Sequence, residues 1–116
     1  MDFNKLLEIE PENSTYLTER GRAYFAKGDY DLAKADFDKV IVLCPSCAFA
    51  YNARGMAYKY KGDTERAIID YDKAIELCPT CAGFYYDRGF AYRAKGDNDR
   101  AIADLKKATE LGGNKR

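Results

Sequence analysis

The feature that most restricts how this chain can fold is an internal repeat with a period of 34 residues. CPSC, Cys44 to Cys47, returns at that spacing as CPTC, Cys78 to Cys81. Lys27-Gly28-Asp29 returns as Lys61-Gly62-Asp63 and Lys95-Gly96-Asp97, and Arg20-Gly21 as Arg54-Gly55 and Arg88-Gly89. Of the thirty positions from Ala48 to Leu77, seventeen recur identically from Ala82 to Leu111. A period of this length marks a supersecondary unit too small to bury its own apolar face, so neighbouring units must stack.

Each unit predicts two helices. In the first, Ala48 to Lys61, Tyr51, Gly55, Ala57 and Tyr58 fall at helical spacing. Gly62 supplies the left-handed residue that commonly ends a helix, and Asp63 suits the N-cap of the next. Glu65 stands in its first turn, where the helix dipole favours an acid. The second helix, Thr64 to Leu77, is expected to bury Ala67, Ile68, Tyr71, Ala74 and Ile75, and Pro79 stops it. The two-residue link holds the pair as an antiparallel hairpin.

The ends follow the same frame. Phe3, Leu6 and Pro11 stand where Phe37, Val40 and Pro45 stand, so Asp2 to Pro11 reads as the closing helix of a half-repeat. So short a helix is marginal alone and must survive by docking. The last helix, Asn98 to Leu111, is more polar than its counterparts, with Leu105, Lys106 and Thr109 in place of Tyr71, Asp72 and Ile75. It is expected to be partly self-capped or to belong to a longer protein, and self-association through its bare face is left open.

These residues resemble the tetratricopeptide repeat family, whose pattern runs from a small Gly and a Tyr through Ala, an aromatic and Ala to a closing Pro. The second unit supplies Gly55, Tyr58, Ala67, Tyr71, Ala74 and Pro79; the first supplies Gly21, Tyr24, Ala33, Phe37 and Pro45, with Val40 where Ala is usual. The third supplies Gly89, Tyr92, Ala101 and Ala108, with Leu105 for the aromatic and Gly113 for the Pro. Leu17, Tyr51 and Tyr85 are the large residues that open the three units. The resemblance implies an all-α, right-handed superhelical solenoid of antiparallel hairpins with seven helices. Its parts are a half-repeat at 1–13, repeats at 14–47, 48–81 and 82–111, and a tail at 112–116. It also implies that the first helices line a concave surface and that such a chain works as a scaffold holding a protein or peptide partner.

Composition limits the chemistry. The chain has no histidine, which removes histidine-based acid–base catalysis, metal ligation and catalytic triads. No enzyme activity and no cofactor are expected. Lysine plus arginine and aspartate plus glutamate both total 19, so no global field draws the chain to nucleic acid or to a membrane surface. No apolar run reaches the roughly 18–20 residues of a membrane span. MDFNKLLEIEPENS does not read as a secretory signal, so a cytoplasmic location with free thiols is expected.

The two CPxC motifs carry the rival reading, a metal- or redox-responsive module built on Cys44, Cys47, Cys78 and Cys81. Four thiolates complete a tetrahedral zinc site, but duplication of a repeat copies its loop, and stacked helices lie about 8–10 Å apart, which separates equivalent loops by at least that much. A disulfide within each loop is a further option, with Cys47 and Cys81 just ahead of a helix N-terminus. The favoured reading makes the four small inter-repeat residues. Arg20, Arg54 and Arg88 precede Asp36, Asp70 and Asp104 by sixteen residues, a spacing that lets each hairpin form an internal ion pair.

The partner face is the stripe of first-helix residues that the core leaves over. It runs through Thr15, Thr18, Arg22, Phe25 and Ala26, then Phe49, Asn52, Met56, Lys59 and Tyr60, then Gly83, Tyr86, Phe90, Arg93 and Ala94. As drawn it holds three cations, no acid and more apolar area than a solvated face needs. It predicts a peptide with apolar anchors and an acidic group, held by Arg22, Phe25, Phe49, Asn52, Met56, Lys59, Tyr60, Tyr86, Phe90 and Arg93. Single-stranded RNA fits the aromatics, but three cations in a neutral chain count against it. One subclass of the family binds acidic chaperone tails through a clamp of Lys, Asn, Asn, Lys and Arg. Thr18, Arg22, Ala53, Gly83 and Asp87 occupy those places here, so the clamp is absent.

Overall fold

The computed structural model describes residues 2–112, and among them there are seven helices and no strand. They are α1 (Phe3–Ile9), α2 (Ser14–Lys27), α3 (Tyr30–Leu43), α4 (Ala48–Tyr60), α5 (Thr64–Leu77), α6 (Ala82–Lys95) and α7 (Asn98–Gly112). Gly113, expected in place of a closing Pro, and the tail beyond it lie outside the described residues. Helices adjacent in sequence pack on one another, and α4 also touches α6 directly, so the hairpins pile up in register. The stack is elongated, 47 × 28 × 26 Å.

Capping chemistry sets the joints within hairpins. Gly28, Gly62 and Gly96 take φ of +88°, +99° and +89°, the left-handed turn that lets the chain reverse after two residues. Lys61, expected inside α4, is its C-cap instead, its amide shared among the last carbonyls of that helix. Oδ1 of Asp63 accepts the Arg66 amide at 3.2 Å, which caps α5.

The core repeats with the same period. Phe37 and Tyr71 are sealed at equivalent points, each under the glycine of the preceding helix, Gly21 or Gly55. Ala33, Ala67 and Ala101 are buried at the helix crossings, as are Ala50, Ala57, Ala74, Ala91 and Ala108. Ile75, expected in the core, is half-buried. The short α1 persists by burying Leu7 against Leu17, Val40 and Ala50.

The joints between hairpins correct one expectation. The four cysteines are not free thiols: Cys44 bonds to Cys47 and Cys78 to Cys81, each pair within its own turn. The reason is local. The turn that ends one helix at Cys44 or Cys78 and starts the next after Cys47 or Cys81 brings the paired Cα atoms to 5.5 and 5.7 Å, within disulfide reach. Each sulfur is thereby committed inside its own turn and is not offered to the other pair. Among the described residues no cluster of three or more Cys, Asp or Glu is placed to hold a metal ion.

Candidate functional site

Three adjoining cavities run along α2, α4 and α6. The first, about 400 Å³, is walled by Ser14, Thr15, Thr18, Glu19, Arg22, Cys47 and Phe49. The second, about 220 Å³, is lined by Arg22, Phe25, Phe37, Phe49, Asn52, Ala53 and Met56. The third, about 490 Å³, is lined by Met56, Lys59, Tyr60, Tyr71, Asp87, Phe90, Arg93 and Ala94. Arg22 and Phe49 belong to both the first and second, and Met56 to the second and third. Shared walls make the three one continuous groove.

Helix spacing explains who faces it. Residues three and four apart on one helix lie on one face, and Arg22 with Phe25, Asn52 with Met56 and Lys59, and Phe90 with Arg93 obey that rule. Nine of the ten residues proposed from the sequence therefore line a cavity. Tyr86 lines none of the three; it is exposed and stacks on Phe90 with ring centroids 6.1 Å apart. Phe25 and Tyr60 are partly committed to packing, edge-on to each other at 5.3 Å and both against Tyr30. Phe49 and Phe90 remain 41% and 43% exposed, a large apolar area open to solvent.

The electrostatics differ from the stripe drawn on sequence. That stripe held no acid, but the wall holds Glu19 and Asp87. Asp87 is four residues after Gly83 and three before Phe90, so helical spacing placed it on this face all along. Its identification only with a missing clamp position hid it. Asn52 donates from Nδ2 to Asp87 Oδ2 at 2.9 Å, tying α4 to α6 across the floor. Burial pushes the Asp87 carboxyl above its ordinary range, opposed by the Asn52 hydrogen bond and by Lys59. Tyr71 floors the same cavity, and burial, then the nearby Asp87 charge, keeps its phenol neutral. Among the described residues Arg22, Lys59 and Arg93 have no ion-pair partner, whereas Arg20, Arg54 and Arg88 are fully engaged behind the groove. Thr18 is buried in the wall, and its hydroxyl lacks a hydrogen-bond partner within the described residues. Two carboxylates against three unpaired cations leave the groove mildly basic.

Three family profiles described as tetratricopeptide repeat match residues 14–47, 48–81 and 70–103. The chain belongs to the tetratricopeptide repeat family. The third match begins within α5 and ends within α7, so it reads the array across a joint between hairpins. No curated protein matches the chain in sequence. Among solved structures, the chain resembles MamA (residues 41 to the end) from Desulfovibrio magneticus RS-1 with a TM-score of 0.90 at 26% identity, over 97% of this chain and 64% of that one. It resembles the Sgt2 TPR domain from Aspergillus fumigatus with a TM-score of 0.84 at 25% identity, over 87% and 67%. It also resembles the first TPR of Spaghetti (RPAP3) bound to the HSP90 peptide SRMEEVD, with a TM-score of 0.84 at 26% identity, over 89% and 81%. The chain spans less than two thirds of several of the MamA chains it resembles, 60% of one and 64% of another.

Proposed function

We propose that this chain is a protein-interaction scaffold that holds a peptide segment along α2, α4 and α6. The observation that carries this reading is the continuous groove with exposed aromatics and three cations on its walls that have no ion-pair partner among the described residues. The second cavity, floored by Phe37 and walled by Phe25, Phe49 and Met56, has the size and polarity of a seat for an apolar side chain. Arg22 at one end, and Lys59 with Arg93 at the other, offer charge-assisted hydrogen bonds to acidic groups flanking that anchor. The RPAP3 repeat domain, solved with an acidic peptide, supports a peptide occupant in principle. Asp87 argues against the family's clamp for acidic chaperone tails here, because it sets a negative charge where that clamp carries a cation. The chain would act by binding alone, without a cofactor.

Selection of peptides from a random displayed library on the wild-type chain tests this. The selected sequences should combine an apolar residue with a neighbouring acid. Their affinity should fall at least about tenfold when Arg22→Glu and Arg93→Glu are combined, the loss of one or more charge-assisted contacts. Equal binding to wild type and double variant, with helical content preserved in both, would remove the groove assignment.

A further inference from the structure

The repeat array contains its own control for the two disulfides. Counting back one period from Cys44 and Cys47 gives Glu10 and Asn13, which flank the joint between α1 and α2. That joint has no sulfur, yet its turn has the same shape. The residues closing the preceding helix have φ/ψ of −128°/77° at Glu10, −141°/82° at Cys44 and −140°/82° at Cys78. The N-cap residues have −78°/105° at Asn13, −82°/95° at Cys47 and −85°/100° at Cys81. Where the later joints are bonded through sulfur, the first is closed by a hydrogen bond, Asn13 Nδ2 to Glu10 Oε1 at 2.8 Å. The Asn13 side chain also accepts the Tyr16 amide at 3.0 Å and so caps α2, whereas Cys47 and Cys81 make no such cap.

The backbone therefore forms this turn without the covalent bond and holds the two side chains together in either state. Reduction then unmakes no packing, and two thiols kept side by side by the fold re-close intramolecularly at high effective concentration. A bridge closing a loop this short also removes little chain entropy from the unfolded state. The four cysteines are half-buried, not sealed from solvent. From these observations we propose that CPSC and CPTC are reversible dithiol–disulfide centres that exchange with thiols while the solenoid stays folded. The first opens on the groove, since Cys47 shares the first cavity with Arg22.

The exchange with a dithiol reductant balances as follows. Its thiolate bonds to Sγ of Cys44, and the Cys44–Cys47 bond breaks. Cys47 leaves as the thiolate, stabilised at the N-terminus of α4. The reductant's second thiolate then attacks its own sulfur in the mixed disulfide and releases Cys44. The reductant ends as a disulfide, and the protein has gained two electrons and two protons. The proposal is independent of what occupies the groove.

The test equilibrates the native full chain with dithiothreitol, and then with glutathione–glutathione disulfide mixtures. Free thiols are trapped by alkylation and assigned by mass spectrometry, with circular dichroism recorded in parallel. Each pair should gain two alkyl groups as a unit, lose them again on reoxidation, and leave the helical signal unchanged. Pairs that stay closed in native conditions, or open only as the helices melt, overturn the proposal. A Cys44→Glu, Cys47→Asn chain, which copies the first joint, should keep its helical content and cooperative unfolding; loss of either also overturns it. Cys78→Ser with Cys81→Ser isolates the first pair and should leave its alkylation profile unaltered, whereas a changed profile would mean that the centres are not local.

Discussion

A side chain on Gly55 would have almost nowhere to go. A Cβ built there lies 2.8 Å from the Tyr71 ring and 3.1 Å from the Ala67 carbonyl oxygen, and neither can retreat without disturbing the α4–α5 crossing. Gly55→Ala should therefore cost about 1–3 kcal/mol in urea unfolding, although alanine is the better helix former. Gly83 is the control, for nothing lies within 4 Å of its would-be Cβ, and alanine there should be neutral or stabilise by up to about 1 kcal/mol. Equal effects at both positions would show that close packing is not why Gly55 is glycine. Asp87 makes a prediction in pH. Burial raises its carboxyl in the folded chain, so the folded state holds that proton more tightly than the unfolded one. Stability linked to this group is full below the unfolded value and is lost as pH rises through the folded one. Asp87→Asn should thus gain on the parent in unfolding midpoint as pH rises from about 3 to 7, starting below the ordinary carboxylate value. A difference that does not change with pH would contradict the burial account.

At the scale of the helix pair, the ladder of ion pairs expected from the sixteen-residue spacing is present in all three hairpins. Arg54 donates from Nε and Nη2 to the two oxygens of Asp70 at 2.9 and 2.8 Å, and Arg20 with Asp36 and Arg88 with Asp104 repeat that fork. The third guanidinium nitrogen does something that spacing within a hairpin could not reveal. It reaches back across the joint to Asn4 from Arg20, to Asp38 from Arg54 and to Asp72 from Arg88, a second series with the same period. Each arginine thereby ties its own hairpin to the preceding helix, and its guanidinium lies against the opening aromatic in the later repeats, Tyr51 at 5.8 Å and Tyr85 at 5.7 Å. Asp70 is buried, so the fork is shielded from water that would weaken an exposed pair. A double-mutant cycle of Arg54→Ala and Asp70→Ala should give a coupling of about 1–3 kcal/mol. The exposed pair Lys61–Asp31 should give at most about 1 kcal/mol. Similar couplings in both would reduce the ladder to surface decoration.

At the scale of the stack, one side chain measures what a neighbouring hairpin contributes. Ile68 and Ile102 occupy the same position one period apart, yet Ile68 is 8% exposed and Ile102 is 63% exposed, because Ala91 on α6 belongs to the cluster that closes over the former. Ile68→Ala should cost about 2–5 kcal/mol, while Ile102→Ala should change stability by less than about 0.5 kcal/mol. Comparable losses would mean that position within the repeat, and not stacking, governs burial. The period, the hairpins, the Arg–Asp forks and most of the groove residues were all legible in the sequence, because each depends on neighbours within one helix or one hairpin. The Asn52–Asp87 tie, the packing of Tyr60 against Phe25 and Tyr30, and the backward reach of the arginines were not, because each joins side chains from different hairpins or across a joint between them.

The cysteines show where that boundary falls. Spacing alone determined that two CPxC turns sit at equivalent joints, and composition alone removed histidine chemistry from the chain. Whether four sulfurs meet at one centre or close in pairs is not in the spacing; the folded backbone at each joint, which brings the paired Cα atoms to 5.5 and 5.7 Å, decided it. Periodicity states which residues are equivalent; the backbone at each joint selects which of them come together.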